Sequence, residues 1–177
     1  MQARRRDFLT FVSAAALVTS MPAIARAAAP PRGVIPLHSA RPMLDVSFRG
    51  PDGAELETRD LHGKPAVIVF WATWCPTCQG EMPKLARLQA TMAGRARIAA
   101  VSLDKEGLPV VRRYLERKGL AALDAYVDQE GVVASMMGVR AVPTFFVLNP
   151  AGEVVAAGEG RADWDSPEAE AYLAALA

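Results

Sequence analysis

The apolar run Ala66–Trp71 restricts the fold more than any other feature of the sequence. Six successive apolar residues follow Pro65, a pattern typical of a strand buried on both faces of a sheet. A helix is predicted over residues 76–92, because apolar side chains recur there at spacings of three and four and Gly94 then ends the pattern. Its buried stripe consists of Met82, Leu85, Leu88 and Met92.

The rest of the chain continues this alternation. Further strands are predicted at residues 44–48, 98–103, 125–127, 144–148 and 153–157. Further helices are predicted from Pro109 to Gly119, over residues 132–137, and from the capping residue Ser166 to the end of the chain. We therefore predict an α/β fold in which helices flank a central mixed sheet on both faces, with the folded domain over residues 43–177.

The N-terminal residues 1–27 have the pattern of an export signal. Three arginines at 4–6 precede an alanine-rich apolar run, and small residues at 23, 25 and 27 offer cleavage sites. The segment Arg-Arg-Asp-Phe-Leu at 5–9 resembles a twin-arginine signal, although an ordinary secretory signal or a retained membrane anchor are alternatives. Export predicts a periplasmic location.

Residues 28–42 contain alanine, proline, glycine and serine without periodicity, and we predict a flexible linker there. The whole chain has 20 basic and 19 acidic residues, and without residues 1–27 it has 16 and 18. This balance gives no basic surplus for binding nucleic acid.

The two cysteines, Cys75 and Cys78, lie where the buried strand ends and the helix begins. A structural disulfide would close too short a loop to stabilise the fold much. A tetrahedral metal site needs about four ligands, and the only other soft donors are His38 and His62. A redox-active dithiol is favoured, because close spacing allows reversible closure and a helix N-terminus stabilises a thiolate at Cys75.

Three segments together resemble one family. They are residues 70–78 with Glu81 and Pro83, the loop at 138–144, and the tail at 160–166. The first is similar to the cysteine motif of the thioredoxin superfamily, the second to its cis-proline loop, and the third to the TlpA branch. The chain resembles the TlpA/ResA-like exported thiol–disulfide oxidoreductases over residues 43–177, which implies a thioredoxin-like fold.

The resemblance implies roles for the motif residues. Cys75, exposed at the helix N-terminus, would attack a partner's disulfide, and the more buried Cys78 would resolve the mixed disulfide. Pro143 would be cis and face the cysteines, while Val142 would pair its backbone with a bound partner strand. Pro76 would occupy the first helical turn and tune the thiolate.

Trp74 and Glu81 are further candidates. Trp74 would contact partners beside the disulfide. Glu81 lies one turn beyond Cys78, and the resemblance makes it a candidate proton acceptor or a residue that tunes the cysteine pKa. The alternative is an acid that simply favours the helix N-terminal region. Val69 stands where thioredoxin has a buried aspartate, which gives Glu81 more weight.

The function expected from the resemblance is reduction of protein disulfides in cytochrome oxidase or cytochrome c biogenesis. Thr144 stands where DsbE-type proteins carry an acidic residue, which favours the TlpA-like side. A copper-binding assembly chaperone and a disulfide-donating oxidant are the alternatives, although no histidine follows His62. The expected partners are a client protein with a disulfide and a membrane thiol-electron donor; we expect a monomer without cofactor or metal.

Overall fold

Eight strands form one sheet in the computed structural model, which describes residues 28–50 and 53–177. The strands are β1 (Ile35–Pro42), β2 (Ser47–Arg49), β3 (Glu55–Glu57), β4 (Ala66–Trp71), β5 (Arg97–Ser102), β6 (Ala125–Val127), β7 (Thr144–Leu148) and β8 (Glu153–Glu159). The helices are α1 (Pro76–Thr91), α2 (Leu108–Arg117), α3 (Val132–Met136) and α4 (Pro167–Ala175), and a short 3₁₀ turn spans Thr58–Leu61. Within these ranges no helix is long and apolar enough to cross a membrane.

The sheet is mixed, and β4 lies near its centre. The strand order is β1-β8-β7-β4-β5-β6-β2-β3. Strands β4, β5 and β6 run parallel, while β7 is antiparallel to both β4 and β8. This arrangement places the ends of β4 and β5 side by side, with β7 starting next to the end of β4.

Helices cover both faces of the sheet, as predicted, and β4 is therefore buried on both sides. Val67, Val69 and Trp71 belong to a core cluster that includes residues of α1, α2 and α4. The alternate β4 residues Ala66, Ile68 and Phe70 belong to a second cluster, with residues of α3 and the 3₁₀ turn. The four apolar residues predicted to form the buried stripe of α1 are all buried.

The structure corrects the predicted linker at 28–42. Residues Ile35–Pro42 form the edge strand β1, in which Ile35 pairs with Ala157 and Pro42 with Glu153. Ahead of this strand, Val34 is buried in the first core cluster. This conformation is decided by pairing with β8, which lies 111 or more residues later. No local periodicity in the sequence therefore predicts it. The predicted signal at 1–27 lies outside the described residues.

The strand predicted at 44–48 is also shifted, since β2 spans only Ser47–Arg49. The preceding residues are instead held by Thr58, whose hydroxyl donates to the carbonyl of Leu44 at 2.8 Å and accepts from the N–H of Val46 at 3.1 Å. These side-chain bonds replace the strand ladder there, so the alternating pattern does not become a strand until Ser47.

Candidate active site

The cysteine pair lies at the N-terminus of α1, directly beyond β4. Cys75 is the N-cap residue, Pro76 follows it in the first turn, and Cys75 forms a disulfide with Cys78. The Sγ atom of Cys75 accepts a hydrogen bond from the backbone N–H of Cys78 at 3.1 Å. The first N–H groups of a helix have no partner within the helix, so one of them is directed at the sulfur and would stabilise a thiolate there.

The cysteines differ in accessibility in the predicted order, but Cys75 is less exposed than predicted. Cys75 is 5% exposed and Cys78 is fully buried. The carbonyl oxygen of Val142 lies 3.4 Å from Cys75 Sγ and partly covers it. Trp74, by contrast, is 64% exposed beside the pair. Only a small part of Cys75 is therefore accessible, and the exposed Trp74 directly precedes it in the chain.

The loop before β7 reaches the cysteines, as the resemblance implied. The Val142–Pro143 peptide bond is cis. The Pro143 carbonyl accepts from the N–H of Gly160 at 2.8 Å, and the Thr144 hydroxyl donates to the carbonyl of Ala141 at 2.7 Å. These bonds fix the loop on both sides of Pro143, and the loop brings the Val142 carbonyl to Cys75 Sγ with the cis Pro143 directly after it.

Glu81 lies one turn beyond Cys78 and is 1% exposed. Its Oε1 accepts from Lys84 Nζ at 3.0 Å, and its Oε2 accepts from the N–H of Ala162 at 3.2 Å. Lys84 Nζ also donates to the carbonyl of Ala162 at 2.9 Å. Both carboxylate oxygens thus have partners, which makes Glu81 a link between α1 and the segment before α4.

A buried carboxyl group that the sequence analysis missed holds the loop between β4 and α1. Asp104, 1% exposed, accepts from the N–H of Thr73 at 2.9 Å and from its hydroxyl at 2.6 Å. Ser102 donates its hydroxyl to the same carboxyl group. The available signal was the pair of polar residues, 102 and 104, at the carboxyl end of the buried strand predicted at 98–103.

In the described ranges no cluster of three or more histidine, cysteine or acidic residues is arranged to hold a metal ion. The site itself consists of a disulfide at a helix N-terminus, with a proline loop and an exposed tryptophan around it.

A family model described as Redoxin matches residues 38–173, which include every residue of this site. The chain belongs to the Redoxin family. The match begins within β1, includes β2 to β8 and ends within α4, so this redoxin carries the family's domain through most of its length.

Two relatives of this redoxin are thiol-disulfide oxidoreductases named ResA. The one from Halalkalibacterium halodurans is 33% identical over 105 residues, which cover 59% of this chain and 58% of that protein. The one from Oceanobacillus iheyensis is 32% identical over 123 residues, covering 69% of this chain and 62% of that protein. The matched region thus spans about three fifths of these relatives.

Among solved structures, this redoxin is similar to a thiol:disulfide interchange protein of the thioredoxin family from Chlorobium tepidum TLS. That structure is 26% identical, has a TM-score of 0.64, and the alignment covers 78% of this chain and 98% of that one. These comparisons confirm the predicted thioredoxin-like fold and the resemblance to the ResA-like oxidoreductases.

Proposed function

We propose that this redoxin is a thiol–disulfide oxidoreductase that reduces disulfides of partner proteins through Cys75 and Cys78. The observation that carries the proposal is the disulfide at the N-terminus of α1, in which the N–H of Cys78 is directed at Cys75 Sγ. A helix N-terminus stabilises the thiolate that forms when this disulfide opens. The ResA relatives are named thiol-disulfide oxidoreductases, which supports exchange chemistry at this pair.

The reaction has two exchange steps. The Cys75 thiolate attacks one sulfur of the partner's disulfide, which forms a mixed disulfide and releases the partner's other sulfur as a thiolate. Cys78, after losing its proton, then attacks Cys75 Sγ and releases the second partner thiolate. The partner gains two electrons, and the Cys75–Cys78 disulfide seen here is the oxidised product.

The surroundings of Cys75 support a role in binding the partner. We assign partner contact to the exposed Trp74 and to the backbone of Val142, beside the cis Pro143. An extended partner segment would pair with that backbone as an added strand. Pro76 would tune the thiolate from the first turn of α1. Glu81, one turn beyond Cys78, would act as a proton acceptor.

The cellular setting is a further part of the proposal. Residues 1–27 support export, by the twin-arginine route, to an oxidising compartment in which a membrane thiol-electron donor must reduce the pair again. The tail at 160–166, similar to the TlpA branch, supports clients in cytochrome oxidase or cytochrome c biogenesis. The protein would act there as a monomer.

The reduction potential of the Cys75–Cys78 pair tests the direction of this reaction. The purified protein is equilibrated in graded dithiol buffers, and the fluorescence of Trp71 and Trp74 reports the state of the disulfide beside them. A potential at or below about −220 mV, in the range of thioredoxin and glutaredoxins, supports a reductase. A potential near −120 mV, as in DsbA, would mean that the protein donates disulfides and would overturn the proposed direction.

A further inference from the structure

Asp104 is a buried acid in the loop after β5, and its hydrogen bonds account for its burial. Burying a carboxyl group is costly unless its oxygens are hydrogen-bonded. Oδ2 accepts from the Thr73 N–H at 2.9 Å and from the Ser102 hydroxyl at 2.5 Å, while Oδ1 accepts from the Thr73 hydroxyl at 2.6 Å. The N–H of Asp104 in turn donates to Ser102 Oγ at 3.0 Å, which fixes the orientation of the carboxyl group.

Thr73 is the residue that this carboxyl group holds, and it stands two positions before Cys75. Its remaining polar group, the backbone carbonyl, accepts from Gln79 Nε2 on α1 at 3.1 Å. Every polar group of Thr73 is therefore bound, two of them by Asp104. The loop between β4 and α1 is thus attached to the end of β5 on one side and to α1 on the other.

We propose that Asp104 is a positioning residue for the nucleophile Cys75. By fixing Thr73, it sets the backbone of the N-cap so that Cys75 Sγ meets the N–H of Cys78 and lies beside the Val142 carbonyl. Without this anchor the loop can rotate, and the thiolate loses the N–H that stabilises it. The inference rests on the proposed function in that it takes Cys75 as the attacking thiol.

The test measures the reactivity of Cys75 in the reduced protein, with Asp104→Ala and Asp104→Asn. Iodoacetamide alkylation is followed across pH, and mass spectrometry locates the label. We expect Asp104→Ala to slow labelling of Cys75 at neutral pH by about tenfold and to move the pH midpoint upward, since a displacement of ~1 Å can cost ~100-fold in rate. For Asp104→Asn the rate of Cys75 labelling should stay within about twofold of wild type. The amide oxygen can accept from the Thr73 N–H and the Ser102 hydroxyl, and the amide N–H can donate to the Thr73 hydroxyl, which then accepts instead of donating.

The matched control is Thr58→Ala. Thr58 is also buried and makes two side-chain hydrogen bonds to the backbone, but to Leu44 and Val46. This variant should lose stability without any change in the pH profile of labelling. If Asp104→Ala does not fold, Thr73→Val takes its place, since it removes only the hydroxyl link. Labelling of Cys75 should then slow by about threefold.

The proposal is overturned if folded Asp104→Ala keeps the wild-type pH profile, or if Asp104→Asn is slowed as much as Asp104→Ala. Alkylation needs no client protein and no disulfide transfer. A wild-type protein that failed to reduce protein disulfides would therefore refute the proposed function and leave this test in force.

Discussion

The backbone N–H of Ala162 donates to the buried carboxylate of Glu81, 81 residues earlier, at 3.2 Å. Lys84 reinforces the link, because its Nζ donates both to Glu81 and to the carbonyl of Ala162. The neighbouring Gly160 donates its N–H to the Pro143 carbonyl. The segment 160–162 therefore connects the helix that carries the cysteines with the proline loop that covers them.

Replacing Lys84 should destabilise the protein through the charge it leaves on Glu81. Glu81 is 1% exposed, whereas the Lys84 side chain is 24% exposed. Removing one partner of a fully buried ion pair costs 3–5 kcal/mol, so we expect Lys84→Met to lower the free energy of unfolding by about 2–4 kcal/mol, as measured by urea unfolding at pH 7. The double variant Lys84→Met with Glu81→Gln should recover part of this loss. A cost of under about 0.5 kcal/mol would show that the pair contributes little.

Cys78→Ser should trap clients, whereas Cys75→Ser should not. In the first variant the nucleophile remains but the resolving thiol is gone, so the mixed disulfide persists. The measurement is the yield of complexes that separate on addition of a reductant, in non-reducing gels of the purified protein with a disulfide-containing substrate. Equal yields from the two variants would contradict the order of attack, in which the more accessible Cys75 acts first.

The tryptophans Trp71 and Trp74 provide a matched pair. Trp71 is fully buried, and its ring centroid lies 5.6 Å from that of Tyr114. We expect Trp71→Ala to cost about 3–5 kcal/mol of stability by urea unfolding. Trp74 is 64% exposed, so Trp74→Ala should change stability by under about 0.5 kcal/mol. Trp74→Ala should instead raise the KM for a protein substrate; an unchanged KM would count against its assignment to partner binding.

Stability should depend slightly on pH through Asp165. A hydrogen bond from Arg87 at 2.6 Å lowers the pKa of Asp165, with burial acting weakly in the opposite direction. Because the pKa is lower in the folded state, this carboxylate stabilises the fold above the ordinary pKa of aspartate and the effect is lost as pH falls through the lowered value. Both side chains are more than a third exposed, so Asp165→Asn should cost only about 0.3–1 kcal/mol at pH 6. The difference in the free energy of unfolding between Asp165→Asn and wild type should become smaller by pH 3, as measured by urea unfolding. A difference that does not change with pH would exclude this charge effect.

A chain that begins at Met43 should be less stable than one that begins at residue 28. The shorter chain loses β1, the partner of β8, and the buried Val34. Burying one valine contributes about 1.5–3 kcal/mol, so we expect a loss of at least about 2 kcal/mol in urea unfolding. If the two chains unfold at the same urea concentration, β1 and Val34 contribute no measurable stability.

Much of this architecture is readable from the sequence because it is encoded locally. Strands β4, β6 and β7 have the predicted limits, since continuous apolar residues with proline or glycine nearby indicate buried strands. Helix α1 begins at Pro76, as its proline and apolar spacing predict. The position of the cysteines at a helix N-terminus, and with it their favoured redox chemistry, needed no tertiary information.

The contacts around Cys75 were decided only by the tertiary structure. Val142 approaches its sulfur from 67 residues away, and Asp104 binds Thr73 across 31 residues. Both contacts exist because β4 pairs with β7 on one side and with β5 on the other, which brings the loops at the ends of these strands together. The sequence by itself determined where the strands, the helix and the reactive pair would form, because those features depend on neighbouring residues. Pairing between distant segments decides the strand order, the edge strand at Ile35–Pro42 and the contacts that hold the cysteine loop. No local pattern in the sequence encodes such pairing.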